Sequence, residues 1–257
     1  MTKKEILQIL NLIGFIATVI VNFLAVTLPI GLGTTQELSD AIPNLFVPAG
    51  ITFSIWSIIY IFLGLFSIYQ MRDIFKSDKI EMKYLDNIGY FFIIGSLANV
   101  LWIIVWHYKL VPLSLVFMIV LLISLLLIYI KLNIGKSDAS KMEKIAIHMP
   151  FSIYLGWITV ATIANVTAVL VVLGVSSFGV LAEILTIIVI IVAVLITFAM
   201  LLLRKDYIYS FVIVWALLGI FINQVKSNLT IAVTALISGV LILVGIVYII
   251  IREKKLP

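Results

Sequence analysis

Three short stripes of aromatic and amide side chains carry the chemistry this chain could do. Phe53, Trp56 and Tyr60 stand at i, i+3 and i+7, a spacing that places side chains on one helix face. Asn99, Trp102 and Trp106 repeat it, and Tyr154, Trp157, Ala161 and Asn165 extend it along a third segment. Indole and phenol rings stack on flat π-systems, and an amide offers both donors and acceptors to polar substituents. The pattern suits non-covalent recognition of a flat, largely apolar molecule. It equally suits close helix packing with amides as interhelical glue. Spacing alone leaves both readings open.

The titratable groups add little. His107 and His148 fall at opposite ends of their apolar segments, so they cannot share a metal ion or sandwich one haem. A single axial contact from His107 is the remaining ligand role, against the plainer expectation of a solvated interfacial side chain. No metal site is expected. There is no Ser-His-Asp set, phosphate loop or pair of mid-depth carboxylates, which removes conventional hydrolases and P-loop transporters. Glu183 is the one acid embedded in an apolar run, and an intramembrane carboxylate is a functional candidate. It is also shallow enough to reach interfacial water or to pair with Lys226 or Lys109. The chain has no cysteine, hence no disulfide, thiolate ligand or Cys nucleophile.

The elements that must position these stripes are membrane spans. Of 257 residues, 64% are hydrophobic and only 11% charged, with a mean hydropathy of +1.29. Soluble domains are about 45–50% apolar and about 25% charged. Lipid must therefore be the solvent for most of the chain, and backbone pairing in lipid demands helices. Segments long enough to cross about 30 Å of hydrocarbon are Ile6–Ile30, Gly50–Gln70, Asp86–Tyr108, Val111–Lys131, Met149–Val172, Phe178–Leu203, Tyr207–Asn223 and Leu229–Ile251. The expected fold class is all-α, a polytopic bundle of about eight spans. Of the 17 Lys and Arg residues, all but Lys109 and Lys226 fall in alternate connections or at the two termini. That alternation predicts both termini inside. The basic balance is thus a topology signal and not a nucleic-acid surface.

Depth sharpens the stripes. At about 1.5 Å per residue, Trp56, Tyr60, Asn99, Trp102 and Asn165 lie roughly 7–15 Å below the outer surface, and Tyr154 and Trp157 nearer the midplane. Trp106 and Tyr108 fit an interfacial aromatic belt; the deeper rings do not. The long outer connection Gly31–Ala49 carries Glu37, Asp40, Pro43 and Pro48, and suits either a cover over a site or a passive surface loop.

The three stripes resemble the motifs of the TspO/MBR family, the tryptophan-rich sensory proteins related to the mitochondrial translocator protein. The family's second-helix pattern, a proline-led turn, an aromatic and V-W-x-x-L-Y, is similar to Pro48, Phe53 and Ile55-Trp56-Ser57-Ile58-Ile59-Tyr60. Its third-helix L-N-x-x-W is similar to Ala98-Asn99-Val100-Leu101-Trp102, and its fifth-helix P-Y-x-x-W-x-x-F-A-x-x-L-N to Tyr154 through Asn165. Two positions depart from the pattern: Ile153 stands where the fifth-helix proline would be, and no tryptophan follows Pro48. The resemblance covers roughly residues 6–172. It implies a five-helix unit in residues 1–172; the three additional transmembrane helices expected in residues 173–257 have no counterpart in the short family members and suggest a longer subgroup, packed on that unit in one membrane domain.

By resemblance, such a unit binds tetrapyrroles such as protoporphyrin or haem, or a sterol-like molecule, in a pocket under the first loop. Carried over residue by residue, the site is Phe53, Trp56, Tyr60, Asn99, Trp102, Tyr154, Trp157 and Asn165. No cofactor is required, and porphyrin or haem would be a non-covalent ligand. Slow porphyrin breakdown, as attributed to some relatives, is the one enzymatic activity the resemblance admits, and no catalytic residue follows from it. The alternative is a secondary transporter of a small apolar or amphipathic solute, with Glu183 as coupling element. The expected partners are the lipid bilayer, a small apolar ligand and a second copy in a homodimer, with no nucleic acid. The expected location is the cell membrane, multi-pass, in a prokaryotic plasma membrane.

Overall fold

A computed structural model describes residues 1–28 and 33–255, with side chains through Arg252. Pro29 to Leu32, which hold the end of the first expected span and the start of the first loop, lie outside the described residues, as do the last two positions. The helices are α1 (Lys3–Thr27), α2 (Thr35–Asp40), α3 (Ile55–Gln70), α4 (Lys83–Ile88), α5 (Phe91–His107) and α6 (Val111–Lys131). They continue as α7 (Lys141–Glu143), α8 (Met149–Val172), α9 (Val180–Arg204), α10 (Tyr207–Gln224) and α11 (Leu229–Lys255). A 3-10 turn, Gly50–Ser54, leads into α3, and a π-type turn, Lys144–His148, joins α7 to α8. Among the described residues, seven helices are long and apolar enough to cross a bilayer; α5, at 17 residues, is a shorter apolar helix. The chain is a multi-pass, all-α membrane protein.

The third expected span begins later than the hydropathy suggests. Asp86 belongs to the separate helix α4, and Gly89, at φ +51° and ψ −135°, breaks the helix before α5 starts. Only glycine adopts that conformation without strain. Asp86 itself is exposed and paired with Lys3 at 2.8 Å.

Packing divides the helices into two groups. α1, α5, α6, α8 and α3 close a ring, each against the next, with α3 returning to α1. α9, α10 and α11 pack on one another and join the ring chiefly through α10 against α8. Small and polar residues permit these approaches. Along α1 the buried positions are Leu7, Gln8, Asn11, Gly14, Thr18, Asn22 and Ala25, a polar seam inside an apolar helix. In lipid such seams hold helices together because hydrophobic burial cannot.

The two ends of the bundle differ in charge. At one end the Asp73 carboxylate is enclosed, paired with Lys4 and accepting from the Gln8 amide at 2.9 Å and the Ile80 N–H at 2.7 Å. Burial would raise its carboxyl, but Lys4, Gln8 and Ile80 together hold it down at about 2. The same end carries Asp206, which accepts from Tyr129 (2.8 Å) and Ser152 (2.7 Å) and caps α10 by accepting from the Tyr209 N–H. The opposite end gathers the α1–α3 loop, Lys109, Val172, Phe178 and the Asn223–Asn228 turn around shared cavities. α5 runs between these ends, from the neighbourhood of Asp86 to a contact of Trp106 with Thr35.

Candidate functional site

The site lies near the end that holds the α1–α3 loop. Local sequence sets its frame. Pro48 and the 3-10 turn aim Phe53, within the turn itself, toward α8 and set Trp56 on the face of α3 that looks toward α5 and α8. α10 grips this entrance with four hydrogen bonds. The Trp215 indole donates to the Thr52 carbonyl (3.0 Å), and the Ala49 N–H donates to the Gly219 carbonyl (2.9 Å). Asn223 donates to Val47 O (2.9 Å) and Gln224 to Leu45 O (3.2 Å). Gly219 makes this approach possible: a Cβ there would overlap Thr52 Oγ1 and come within 2.9 Å of Pro48 Cβ.

Trp56 is the hub of a continuous aromatic cluster. It stacks on Tyr60 (5.7 Å between centroids) and Trp102 (6.3 Å), and meets Tyr154 (6.1 Å) and Trp157 (6.2 Å) edge to face. Phe53 adds an edge contact to Trp157 at 6.0 Å, and Trp102 passes the stack on to Trp106 at 6.1 Å. All these separations fall in the range where aromatic pairs attract.

The amides hold the rings in place. Asn165 Oδ1 accepts from the Trp102 indole and from Ser114 Oγ, both at 3.2 Å. Asn99 accepts from Asn22 at 2.7 Å and donates to the Tyr154 hydroxyl at 3.2 Å. The eight residues expected from the sequence are therefore neighbours. Phe53, Trp56, Tyr60, Trp102, Trp157 and Asn165 line cavities, whereas Asn99 and Tyr154 stand behind them as bracing.

Two cavities flank Trp56. One, about 50 Å³, lies among α3, α5 and α8 under α2, between the faces of Trp56, Trp102, Trp106 and Trp157. The other, about 530 Å³, lies between α1 and α3 and is bordered by Asn22, Phe23, Gln36, Ser57 and Tyr60. Thr35, Phe53 and Trp56 border both. Small-molecule pockets run roughly 300–1,000 Å³, so only the second holds a ligand without ring movement. α2 covers the site. Thr34 and Glu37 form its capping box, which also lowers the Glu37 carboxyl, and Thr35 O accepts from the Trp106 indole at 3.3 Å.

Three expectations change. Trp106 is no belt residue: it is buried at 6% exposure in the stack and tied to the cover, while Tyr108, 60% exposed, keeps the belt position. His107 is fully buried, with Nδ1 against the Ile103 carbonyl at 2.7 Å, and is not solvated. Glu183 accepts from Asn228 at 2.8 Å, and neither Lys226 nor Lys109 is its partner among the recorded ion pairs. The sequence reading also passed over Asn22 and the α10 clasp. Both had a signal: Asn22 continues a run with Gln8, Asn11 and Thr18 on one face of α1, and Trp215, Gly219 and Asn223 recur every fourth residue.

An aromatic cluster under a loop, with a small cavity inside a ring of five membrane helices and a larger, partly open one between α1 and α3, defines the class as a membrane-embedded helix bundle with an aromatic-lined cavity. The profile of a family described as TSPO-like protein matches residues 8–248, and the chain belongs to this family. The match runs through both helix groups, α9 to α11 included. Neither the search of curated proteins nor that of solved structures returns a match.

Proposed function

We propose that this protein binds a flat apolar ligand, porphyrin-like in shape, in the chamber beside Trp56, and acts as a ligand-binding or sensory membrane protein. The observation that carries this reading is the convergence of Phe53, Trp56, Tyr60, Trp102 and Trp157 on two cavities under one cover. An interhelical-glue role explains the bonded amides, but it leaves a 530 Å³ chamber unaccounted for. Phe53, Trp56, Tyr60, Trp102 and Trp157 would contact the ligand; Asn99, Tyr154 and Asn165 would fix the rings.

We read all eight apolar helices as spans with both termini inside. α5 runs the length of the ring between spanning neighbours, and Lys109 and Lys226 share the end opposite the other basic clusters. Residues 173–257 then form a three-helix addition whose α10 holds the cover of the 1–172 unit. The transport alternative gains nothing from Glu183, which is engaged with Asn228 and borders neither aromatic cavity.

The test is binding to the full chain in lipid nanodiscs, with protein-free nanodiscs as reference. Protoporphyrin and its esters should quench tryptophan fluorescence saturably. Quenching equal to that of empty nanodiscs, unchanged by Trp56→Ala, would remove the ligand-binding reading.

A further inference from the structure

A third cavity lies where the cover meets the α9–α11 group. It is a partly open cleft of about 430 Å³, within the size range of small-molecule sites. Residues between Ser39 and Gly50 form one wall, and Phe178 with the Asn223–Asn228 turn forms the other. Ser39 and Asn44 also border the smaller aromatic cavity, and Gly50 the larger. None of Phe53, Trp56, Tyr60, Trp102 and Trp157 borders the cleft, so it is distinct from the aromatic site.

Its charge is one-sided. Asp40 borders the cleft, and no Lys, Arg or His does among the described residues. The Asp40 carboxylate has no ion pair or hydrogen bond there, so both oxygens are open acceptors. A second carboxylate stands behind the wall, where Glu183 accepts from Asn228 at 2.8 Å and likewise has no ion pair among the described residues. Lys226, on the same turn, is exposed and does not border the cleft. The amides have each spent a donor on the fold: Asn223 on Val47 O, Gln224 on Leu45 O, Asn44 on Ile42 O. Asn223 Oδ1 accepts nothing among the described residues. Open acceptors and unpaired negative charge call for a donor-rich cation, and an ammonium carries three donors and no acceptor. Phe178, 63% exposed, adds an aromatic ring, a surface that attracts cations. A bare divalent ion is a poorer match: it wants several oxygen ligands, and no described cluster of three acids or histidines exists to hold one.

We propose that this cleft binds a small organic cation, an ammonium-bearing molecule of about single-ring size, with Asp40 as its charge partner, Asn223 as a further acceptor and Phe178 as its aromatic wall. The proposal does not require a ligand in the aromatic chamber. Because one wall belongs to the cover and the other to the α9–α11 group, an occupant that touches both holds the cover against α10. It thereby reinforces the clasp that Asn223 and Gln224 already make. Neutral and anionic molecules of the same shape bind weakly, because they offer Asp40 no charge.

The experiment titrates the full chain in nanodiscs, at neutral pH, with probes of one skeleton and different charge: tyramine, its neutral alcohol tyrosol, and para-hydroxyphenylacetate. Binding is followed by calorimetry and corrected with protein-free nanodiscs. Tyramine is expected to bind saturably, about tenfold tighter than tyrosol, and to weaken as salt is added; para-hydroxyphenylacetate is expected to be the weakest. Asp40 braces nothing in the fold, so Asp40→Asn keeps the cleft. It should lower tyramine affinity about tenfold, the worth of one charge-assisted hydrogen bond, and leave tyrosol unchanged, which a structural loss would not do. Tyramine should also slow proteolysis within residues 33–49 in the wild type and not in Asp40→Asn. Tyrosol binding as tightly as tyramine, or no saturable tyramine binding, would overturn the proposal. Equal losses for tyramine and tyrosol in Asp40→Asn would overturn the role of Asp40.

Discussion

Trp215 of α10 donates its indole N–H to the backbone carbonyl of Thr52 at 3.0 Å, one residue before Phe53 enters the aromatic site. A helix outside the five-helix ring thus sets the backbone from which the ring's main stripe begins. Gly219, one turn on, removes the Cβ that would collide with Thr52 and Pro48. Replacing Gly219 with Leu is expected to overpack this joint, at a cost of about 1–3 kcal/mol. The loss should appear as a lower Tm and faster proteolysis within residues 33–49. Unchanged Tm and cleavage would show that α10 does not hold the cover.

Asn165 joins three elements through Trp102 and Ser114. Asn165→Leu keeps the volume and strands both partners. Interhelical hydrogen bonds in membranes are modest, so the expected destabilisation is about 1–2 kcal/mol. Adding Ser114→Ala to the same chain should cost little more, because the two residues share one interaction. Additive losses in thermal unfolding would contradict that coupling.

The Asp73 cluster supplies a pH dependence. Its carboxyl is held at about 2 in the folded protein, below its usual value of 3.8. A depressed folded value stabilises wherever the unfolded carboxylate is already ionised, and the gain is lost as pH falls through the folded value. Tm should therefore hold above about pH 4 and drop between about 4 and 2. Asp73→Asn should lower the neutral-pH Tm and flatten that drop. A variant with the wild-type acid profile would show that Asp73 does not carry it.

Topology is open to direct labelling because the chain has no cysteine of its own. Single Cys replacements at the exposed Lys109 and Lys226 should react with an impermeant maleimide from outside, and one at the exposed Lys136 only after permeabilisation. Lys109 and Lys136 reacting from the same side would break the eight-span, N-in arrangement.

Much of this was readable from the residues, and the parts that were not have physical causes. Aromatic stripes at helical spacing located Trp56, Trp102 and Trp157 because a helix face is a local property. Hydropathy set the start of the third span at Asp86 because it registers apolar content and not a backbone break, here made by Gly89 at positive φ. Trp106 was placed in a surface belt because its depth along α5 is right for one. Only the fold of α2 over that end, through Thr35, reveals its burial. The α10 clasp joins residues more than 160 positions apart, and no local pattern pairs Trp215 with Thr52. The filling of the smaller cavity by its own rings depends on side-chain packing, which spacing does not specify.

The central claim is that the aromatic cluster around Trp56 is a ligand site, and one titration tests it most directly. Protoporphyrin dimethyl ester is added to the full chain in nanodiscs, beside Trp56→Ala and, as a control on the same helix system, Tyr108→Ala. The account predicts saturable quenching in the wild type and in Tyr108→Ala, with affinity reduced about tenfold in Trp56→Ala, on the order of the loss of one aromatic stacking contact. Identical saturable binding in all three proteins would contradict it and place the ligand elsewhere on the bundle.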